Sequence, residues 1–390
     1  MKRLFLFIPF VVCLQSTSAR TNQFPGDSVN YFITANQKKA FQPVLAIELW
    51  GLYATSGNDT ESSQFQRTDM MFRRFRLGAK GNPYTWVKFA FQLSLDRLGE
   101  DVYIPVKGSY KGINLWNAYV TLKALPNSEL LNVHVGYYWA GISREFITSP
   151  YSSGSFDKTR ANWFLRHFIT GKGNGIEGGI GAGGLKKWHN FGIAYRLGVF
   201  EPQAFISEQY ADKLYTGRFM LSIGQAEQTS YKFMLPGNQW RKRKGITIGV
   251  GAFTQKNGMV SDSLFFNKSC AYGADVLFNY KGLRIDGEYF MFTRVADGLD
   301  SFYGSQAHIR LGYSLVIANK YFEPVISYDR YVGEGNGQLY GFIGFDETWD
   351  IGINWYLNKD KLKLALHYIE QNSNFSGSGD YFGLALQFKL

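Results

Sequence analysis

A period-two alternation that runs to the last residue constrains this chain more than anything else in it. At the C-terminal end Phe382, Leu384, Leu386 and Phe388 share one parity, and Gly383, Ala385, Gln387 and Lys389 share the other. Successive side chains of a strand point to opposite sides, so one face is continuously apolar and the other polar or small. A soluble sandwich can show the same alternation. Here it comes with a secretory leader, abundant aromatics and no helical domain. The combination predicts an all-β chain, a transmembrane antiparallel β-barrel of about 16 strands that is apolar outside and wet inside.

The first residues set the compartment. Lys2 and Arg3 precede the apolar run Leu4 to Leu14, and Thr17-Ser18-Ala19 offers small residues to a peptidase. This is the layout of a cleavable signal peptide over residues 1–19, with cleavage after Ala19. The run is too short to cross a bilayer as a helix, and no later stretch approaches the ~18 apolar residues that such a helix needs. Cys13 follows Val12, which is bulky where a lipobox wants a small residue. Past the leader only Cys270 is left, so an internal disulfide is excluded and the chain does not read as a disulfide-stapled scaffold.

Segment 20–42 is polar and aperiodic and reads as a lead-in or plug. From 43 to 390 sixteen strand-like segments can be placed, the first at 43–53 and the last at 380–389. Their connections alternate between tight and long. Gly81-Asn82-Pro83, Lys281-Gly282 and Asn358-Lys359-Asp360 signal turns, whereas 54–69, 97–111, 224–244 and 255–268 are longer and polar. Short turns on one rim and long loops on the other suit a barrel. So does an aromatic content of 17%, which can furnish a lipid-facing band with interfacial girdles. The longest interruption, 141–175, carries Arg144, Lys158, Arg160 and Arg166 beside Trp163, Phe164 and Phe168. A loop of that length is usually functional or disordered. Two placements stay open: folded into the lumen as a constriction loop, or displayed outside as a surface loop.

The formal charge is +11. Basic charge alone is compatible with nucleic acid, an acidic surface or an anion pathway, and its placement decides. Arg74, Arg76 and Lys80 share one face of a strand whose other face carries Phe75, Leu77 and Ala79. Lys88, Arg196, Arg310, Lys361 and Lys363 likewise oppose apolar neighbours. A charge on the lipid face at the bilayer midplane costs roughly 2–4 kcal/mol, so these eight cations are expected to line the lumen. There they would favour anions, tempered by Asp96, Asp286, Glu288, Asp329 and Asp350. Arg73 falls on the apolar parity and is expected to snorkel at the interface. The run Arg241-Lys242-Arg243-Lys244 lies between strands and reads as a solvated loop against lipid phosphates. With a leader peptide present, nucleic acid is not an expected partner.

The stretch Phe72-Arg73-Arg74-Phe75-Arg76-Leu77-Gly78-Ala79-Lys80-Gly81 resembles the early Arg-Arg-x-Arg-x-Gly strand of the phosphate-selective porins O and P. The strand Tyr84 to Asp96, the segment Asn117-Ala118-Tyr119-Val120 and then Val135-Gly136, with Glu145, Thr148 and Ser149 downstream, follow in that family's order. The resemblance covers about residues 40–200. It implies a sixteen-stranded homotrimeric outer-membrane channel that passes phosphate-like anions along pore-lining arginines, with Arg74, Arg76 and Lys80 matching by position. The family's constriction-loop residues do not carry over, because Tyr137-Tyr138-Trp139-Ala140-Gly141 stands where the family has a different pattern.

Other chemistry is weakly encoded. Gly173-x-Gly175-x-x-Gly178 matches a dinucleotide fingerprint without the strand and helix that give it a mechanism. His134, His167, His189, His308 and His367 lack zinc-ligand spacing, so no metal or cofactor is expected. Ser143 and Ser149 lie near His167 in sequence, with nothing to fix a nucleophile–base geometry. The expected function is passive diffusion of small hydrophilic solutes through a Gram-negative outer membrane, with lipid around the barrel and phosphate-like anions inside, and no enzyme activity. The competing readings are a closed structural or binding barrel, and a barrel hydrolase.

Overall fold

The strands put their apolar side chains where a soluble protein would not. In the last strand Phe382, Leu384, Leu386 and Phe388 are exposed, while Ala385 and Gln387 are 2% and 0% exposed. Arg310 is buried between exposed Ile309 and Leu311 on another strand. This inversion is what lipid outside and polar filling inside require.

The computed structural model describes residues 40–55, 67–96, 113–202, 212–261, 264–375 and 379–390. The signal peptide at 1–19 and most of the 20–42 lead-in lie outside the described residues. The wall is built from β1 (Gln42–Ala54), β2 (Arg67–Tyr84), β3 (Val87–Ser94), β4 (Asn114–Lys123), β5 (Asn132–Trp139), β6 (Ile176–Lys187), β7 (Phe191–Glu201) and β8 (Leu214–Gly224). It continues through β9 (Gly245–Ser261), β10 (Leu264–Tyr280), β11 (Leu283–Val295), β12 (Phe302–Tyr313), β13 (Leu315–Ile317), β14 (Lys320–Gly335), β15 (Gly344–Tyr356), β16 (Leu362–Ser373) and β17 (Tyr381–Lys389). β12 and β13 both pair with β14 and form one wall strand interrupted at Ser314, so the barrel has 16 strands. All neighbours are antiparallel, and β1 pairs with both β2 and β17, from Ala46↔Lys389 to Ala54↔Tyr381. Closure leaves no edge with unpaired backbone groups, which is the condition for a sheet in hydrocarbon. No described helix is long and apolar enough to cross a membrane.

Two aromatic belts mark the rims. Trp86, Trp188, Tyr280 and Trp355 are exposed beside the short connections, and Tyr53, Tyr215, Tyr303 and Trp349 near the other ends of their strands. Such amphipathic rings settle at headgroup depth. The tightest hairpins use paired positive φ angles, 47° and 103° at Lys281–Gly282 and 48° and 61° at Ala318–Asn319. That is the mirror-image turn whose twist matches two antiparallel strands.

Three sequence expectations need correction here. The turn after β2 falls at Thr85–Trp86, because β2 runs on through Gly81-Asn82-Pro83 to Tyr84. The stretch 255–268 is mostly strand, since β9 and β10 stay paired up to Ser261 and Leu264. Arg73 does not snorkel. Glu48 pairs with Arg74 and Leu49 with Phe72, so Arg73 is the extra residue of a β-bulge. The bulge breaks the parity and turns Arg73 inward beside Arg74, where both are buried. A second bulge does the same in β4. Gln92 pairs with Asn117 and Leu93 with Leu115, which aims the intervening Trp116 into the lumen.

Candidate functional site

The segment 141–175 lies inside the barrel. Its first turn, α1 (Arg144–Ile147), is capped by Ser143 Oγ, which accepts from the Phe146 N–H at 3.2 Å. Its longer helix, α2 (Arg160–Thr170), ends at Gly171 with φ 68°, whose N–H donates to His167 O at 2.7 Å. Charged bonds then tie the segment to opposite walls. Arg144 grips Glu227 with two bonds of 2.7 and 2.8 Å and reaches Asp275 at 3.3 Å. Arg160 holds Asp346 bidentately at 3.0 and 2.6 Å, and Arg310 donates to Glu145 at 3.3 Å. The N–H groups of Phe156 and Ala161 donate to Asp350 and Asp329 at 2.7 and 2.8 Å. On the opposite side Asp157 accepts from Arg73 at 2.9 Å and from Arg74, which also reaches Glu48 at 2.6 Å. Buried charges persist when paired and hydrogen-bonded in this way.

A second segment enters from the short-turn rim: the stretch 224–244, which the sequence marks as a long polar connection, turns inward. Glu227, Tyr231, Phe233, Leu235, Asn238 and Arg243 are buried. Tyr231 Oη lies 3.0 Å from His134 Nε2, and Phe233 packs edge-on against Tyr138 with centroids 5.1 Å apart. At mid-lumen the Leu235 N–H donates to Ile147 O at 3.1 Å, within a parallel bridge between Thr148 and Leu235. A Cβ at Gly237 would collide with Ser152 backbone, so glycine permits this close meeting of the two segments. Of the basic run, Arg241, Lys242 and Lys244 are exposed as expected. Arg243 is buried and donates to Asn279 at 3.0 Å and Thr247 at 2.6 Å. The spacing of Tyr231, Phe233 and Leu235 was the signal available in the sequence.

What the two segments leave open lies against β1–β5. A chamber of about 540 Å³ opens at the short-turn rim, where Gly81, Asn82 and Lys389 line it. Its cations are Arg76, Lys80, Lys88, Lys232 and Lys389, and among the described residues no aspartate or glutamate side chain lines it. It meets a throat of about 50 Å³ at Arg76, Trp116, Trp139 and Pro150, which line both spaces. In the throat Arg73, Arg74, Arg76, Lys158 and Arg166 face only Asp96 and Asp157. Arg76 donates to Asp96 and lies 3.7 Å over the Trp116 ring, while its Nε and Nη2 have no partner among the described residues. Arg166 donates through Nε to Asn162 O at 3.4 Å, and among the described residues no carboxylate pairs with it.

The predicted cations therefore fall into three groups. Arg74, Arg76, Lys80, Lys88, Lys158 and Arg166 line the open path. Arg144, Arg160 and Arg310 are buried in ion pairs away from it. Arg196 is also locked, stacked 4.2 Å from the Phe233 ring and donating to Phe233 O. Lys363 is buried and donates to Ser153 O at 3.4 Å, and Lys361 sits exposed in the turn before β16. Trp116, Trp139 and Trp163 complete the throat; the sequence placed Trp163 in the candidate constriction loop but gave no sign that Trp116 and Trp139 would join it.

Burial, reinforced by Arg166, pulls the Lys158 ammonium down to about 7, although Glu145 opposes the shift. Its Nζ donates to the Glu145 and Phe146 carbonyls at 2.6 and 3.1 Å. Burial also lowers Arg166, to about 10, which leaves it charged at neutral pH. Glu145, Asp286 and His308 bring donor atoms within 4.8 Å of one another. Arg310 already bonds both of these carboxylates, at 2.9 Å to Asp286 and 3.3 Å to Glu145, so the donor set fits a guanidinium better than a dication. Ser143 bonds Glu288 at 2.9 Å and Asn162 at 3.0 Å rather than His167.

No family model matches the chain, and no curated protein matches it. Solved structures do. OprB of Pseudomonas putida gives a TM-score of 0.59 at 11% identity, covering 90% of this chain and 95% of that one. The outer membrane channel DcaP of Acinetobacter baumannii gives 0.52 at 12% identity, over 90% and 97%. OmpT of Vibrio cholerae, an outer membrane protein in a trimer form, gives 0.54 at 9% identity, over 90% and 100%. At these identities the likeness is one of fold, and the fold is that of outer-membrane barrels.

Proposed function

We propose that this chain is an outer-membrane porin of a Gram-negative bacterium, exported through its signal peptide, that lets small hydrophilic anions diffuse along the β1–β5 wall. The observation that carries the reading is the lining of that path. Among the described residues, five cations and no aspartate or glutamate side chain line the chamber, and five cations face two carboxylates in the throat. Unbalanced cations in a narrow aqueous path concentrate anions and repel cations. Phosphate-like anions suit the guanidinium groups, which match phosphate and carboxylate oxygens in a fixed fork. The segment 141–175 acts as the constriction loop. A homotrimer in lipid is proposed in line with the resemblance to phosphate-selective porins and the trimer form of OmpT. The reversal potential of the purified protein in a planar bilayer under a KCl gradient tests this. Chloride preference that weakens on adding phosphate is expected. Cation preference would overturn the anion reading.

A closed binding barrel is the second reading, favoured by the throat of only about 50 Å³ between the inserted segments and the wall. Absence of current from demonstrably folded protein would select it. Lys158 provides a further check on the porin. It is charged below about 7 and neutral above, so anion preference should fall as pH rises through that value. Lys158→Arg, which stays charged, should abolish the step, as read from reversal potentials across pH.

A further inference from the structure

Resting on the anion-porin reading, we infer that the throat selects planar aromatic carboxylates over compact anions. The bulge in β4 sets Trp116 in the path. Trp139 packs edge-on to it with ring centroids 6.2 Å apart, and Arg76 lies 3.7 Å over its face. Trp163 brings a third indole to the same space. A phosphate path needs cations and water; indoles at its narrowest point add nothing for so strongly hydrated an ion. They do add a flat, polarizable surface on which an aromatic ring can stack or meet an edge.

The polar groups of the throat are complementary to a carboxylate. Arg76 is 1% exposed and Trp163 is 7% exposed. Among the described residues, Arg76 Nε and Nη2 and Trp163 Nε1 are buried donors with no acceptor. Buried donors are rarely left without a partner, and a guanidinium beside an indole N–H can take both oxygens of a carboxylate. Arg166 adds a guanidinium in the same lining, with no carboxylate partner among the described residues. A carboxylate held at Arg76 and Arg166 would carry its ring against Trp116 and Trp139. The small volume of the throat, about 50 Å³, admits a slender ring more readily than a bulky saturated one.

The test is current through the purified full-length protein in planar bilayers, titrated with sodium benzoate, cyclohexanecarboxylate, acetate or phosphate, with tryptophan fluorescence quenching in detergent as a second readout. Benzoate is expected to block and quench at concentrations about tenfold below those of acetate, the gain appropriate to one aromatic contact. Cyclohexanecarboxylate should fall between them. Trp116→Ala should bring benzoate level with acetate in both readouts. Equal potency of benzoate and acetate in the unaltered protein would overturn the aromatic selection and leave the anion porin standing. Absence of chloride preference in the unaltered protein would overturn the anion reading on which this inference rests. If Trp116→Ala does not fold, Trp139→Leu replaces it, with the same expectation.

Discussion

Arg76→Glu combined with Arg166→Glu should convert an anion-preferring channel into a cation-preferring one. Both residues line the throat, and neither belongs to the dense ion-pair lattice that holds the inserted loop. The double substitution replaces two cations with two anions at the narrowest point, next to Asp96 and Asp157. A swing of about tenfold or more in the chloride-to-potassium permeability ratio is expected, the lower end of what charged, low-dielectric clefts achieve. Reversal potentials under a KCl gradient measure it. An unchanged ratio would mean that ions do not pass these side chains. Arg74→Glu is a poorer probe. Arg74 sits between Glu48 and Asp157, and a third carboxylate there should block assembly of the barrel rather than report on permeation.

Replacing Gln225–Lys244 with an Asn-Gly hairpin turn should raise single-channel conductance several-fold. This segment lies within the lumen and lines the chamber through Tyr231, Lys232, Phe233 and Met234, reaching from His134 on one side to Trp240 against Tyr356 on the other, with centroids 4.9 Å apart. The truncation also removes Glu227, leaving Arg144 with Asp275 alone. Breaking one partner from a buried pair costs about 3–5 kcal/mol, so the temperature at which the barrel loses its heat-modifiable mobility on gels should drop. Conductance equal to that of the full protein would show that the lumen stays closed without the segment.

The barrel was legible because lipid enforces a single parity. Phe382 to Phe388 and Ile309 to Leu311 announce the outer face regardless of what lies inside. The lumen was less legible because its pairings depend on what arrives from elsewhere in the chain. Arg310 and Arg76 have the same parity signature, yet one is enclosed by Asp286 and Glu145 while the other pairs with Asp96 and still lines the path. The bulges at Arg73 and Trp116 were invisible for a different reason. An extra residue flips the parity on which the reading rests, and only the pairing register exposes it. The 225–244 segment was masked by its polar composition, although Tyr231, Phe233 and Leu235 recur at every second position within it.

The charged bonds from the 141–175 segment also have a mechanical meaning. They reach β2 on one side and β10, β12, β14 and β15 on the other. These bonds act as spokes across a wheel. A thin cylinder under sideways load flattens into an ellipse, and cross-ties remove that soft mode. The bore of this barrel should therefore hold its shape when bilayer thickness or lateral tension changes, where an unbraced cylinder of the same circumference would yield.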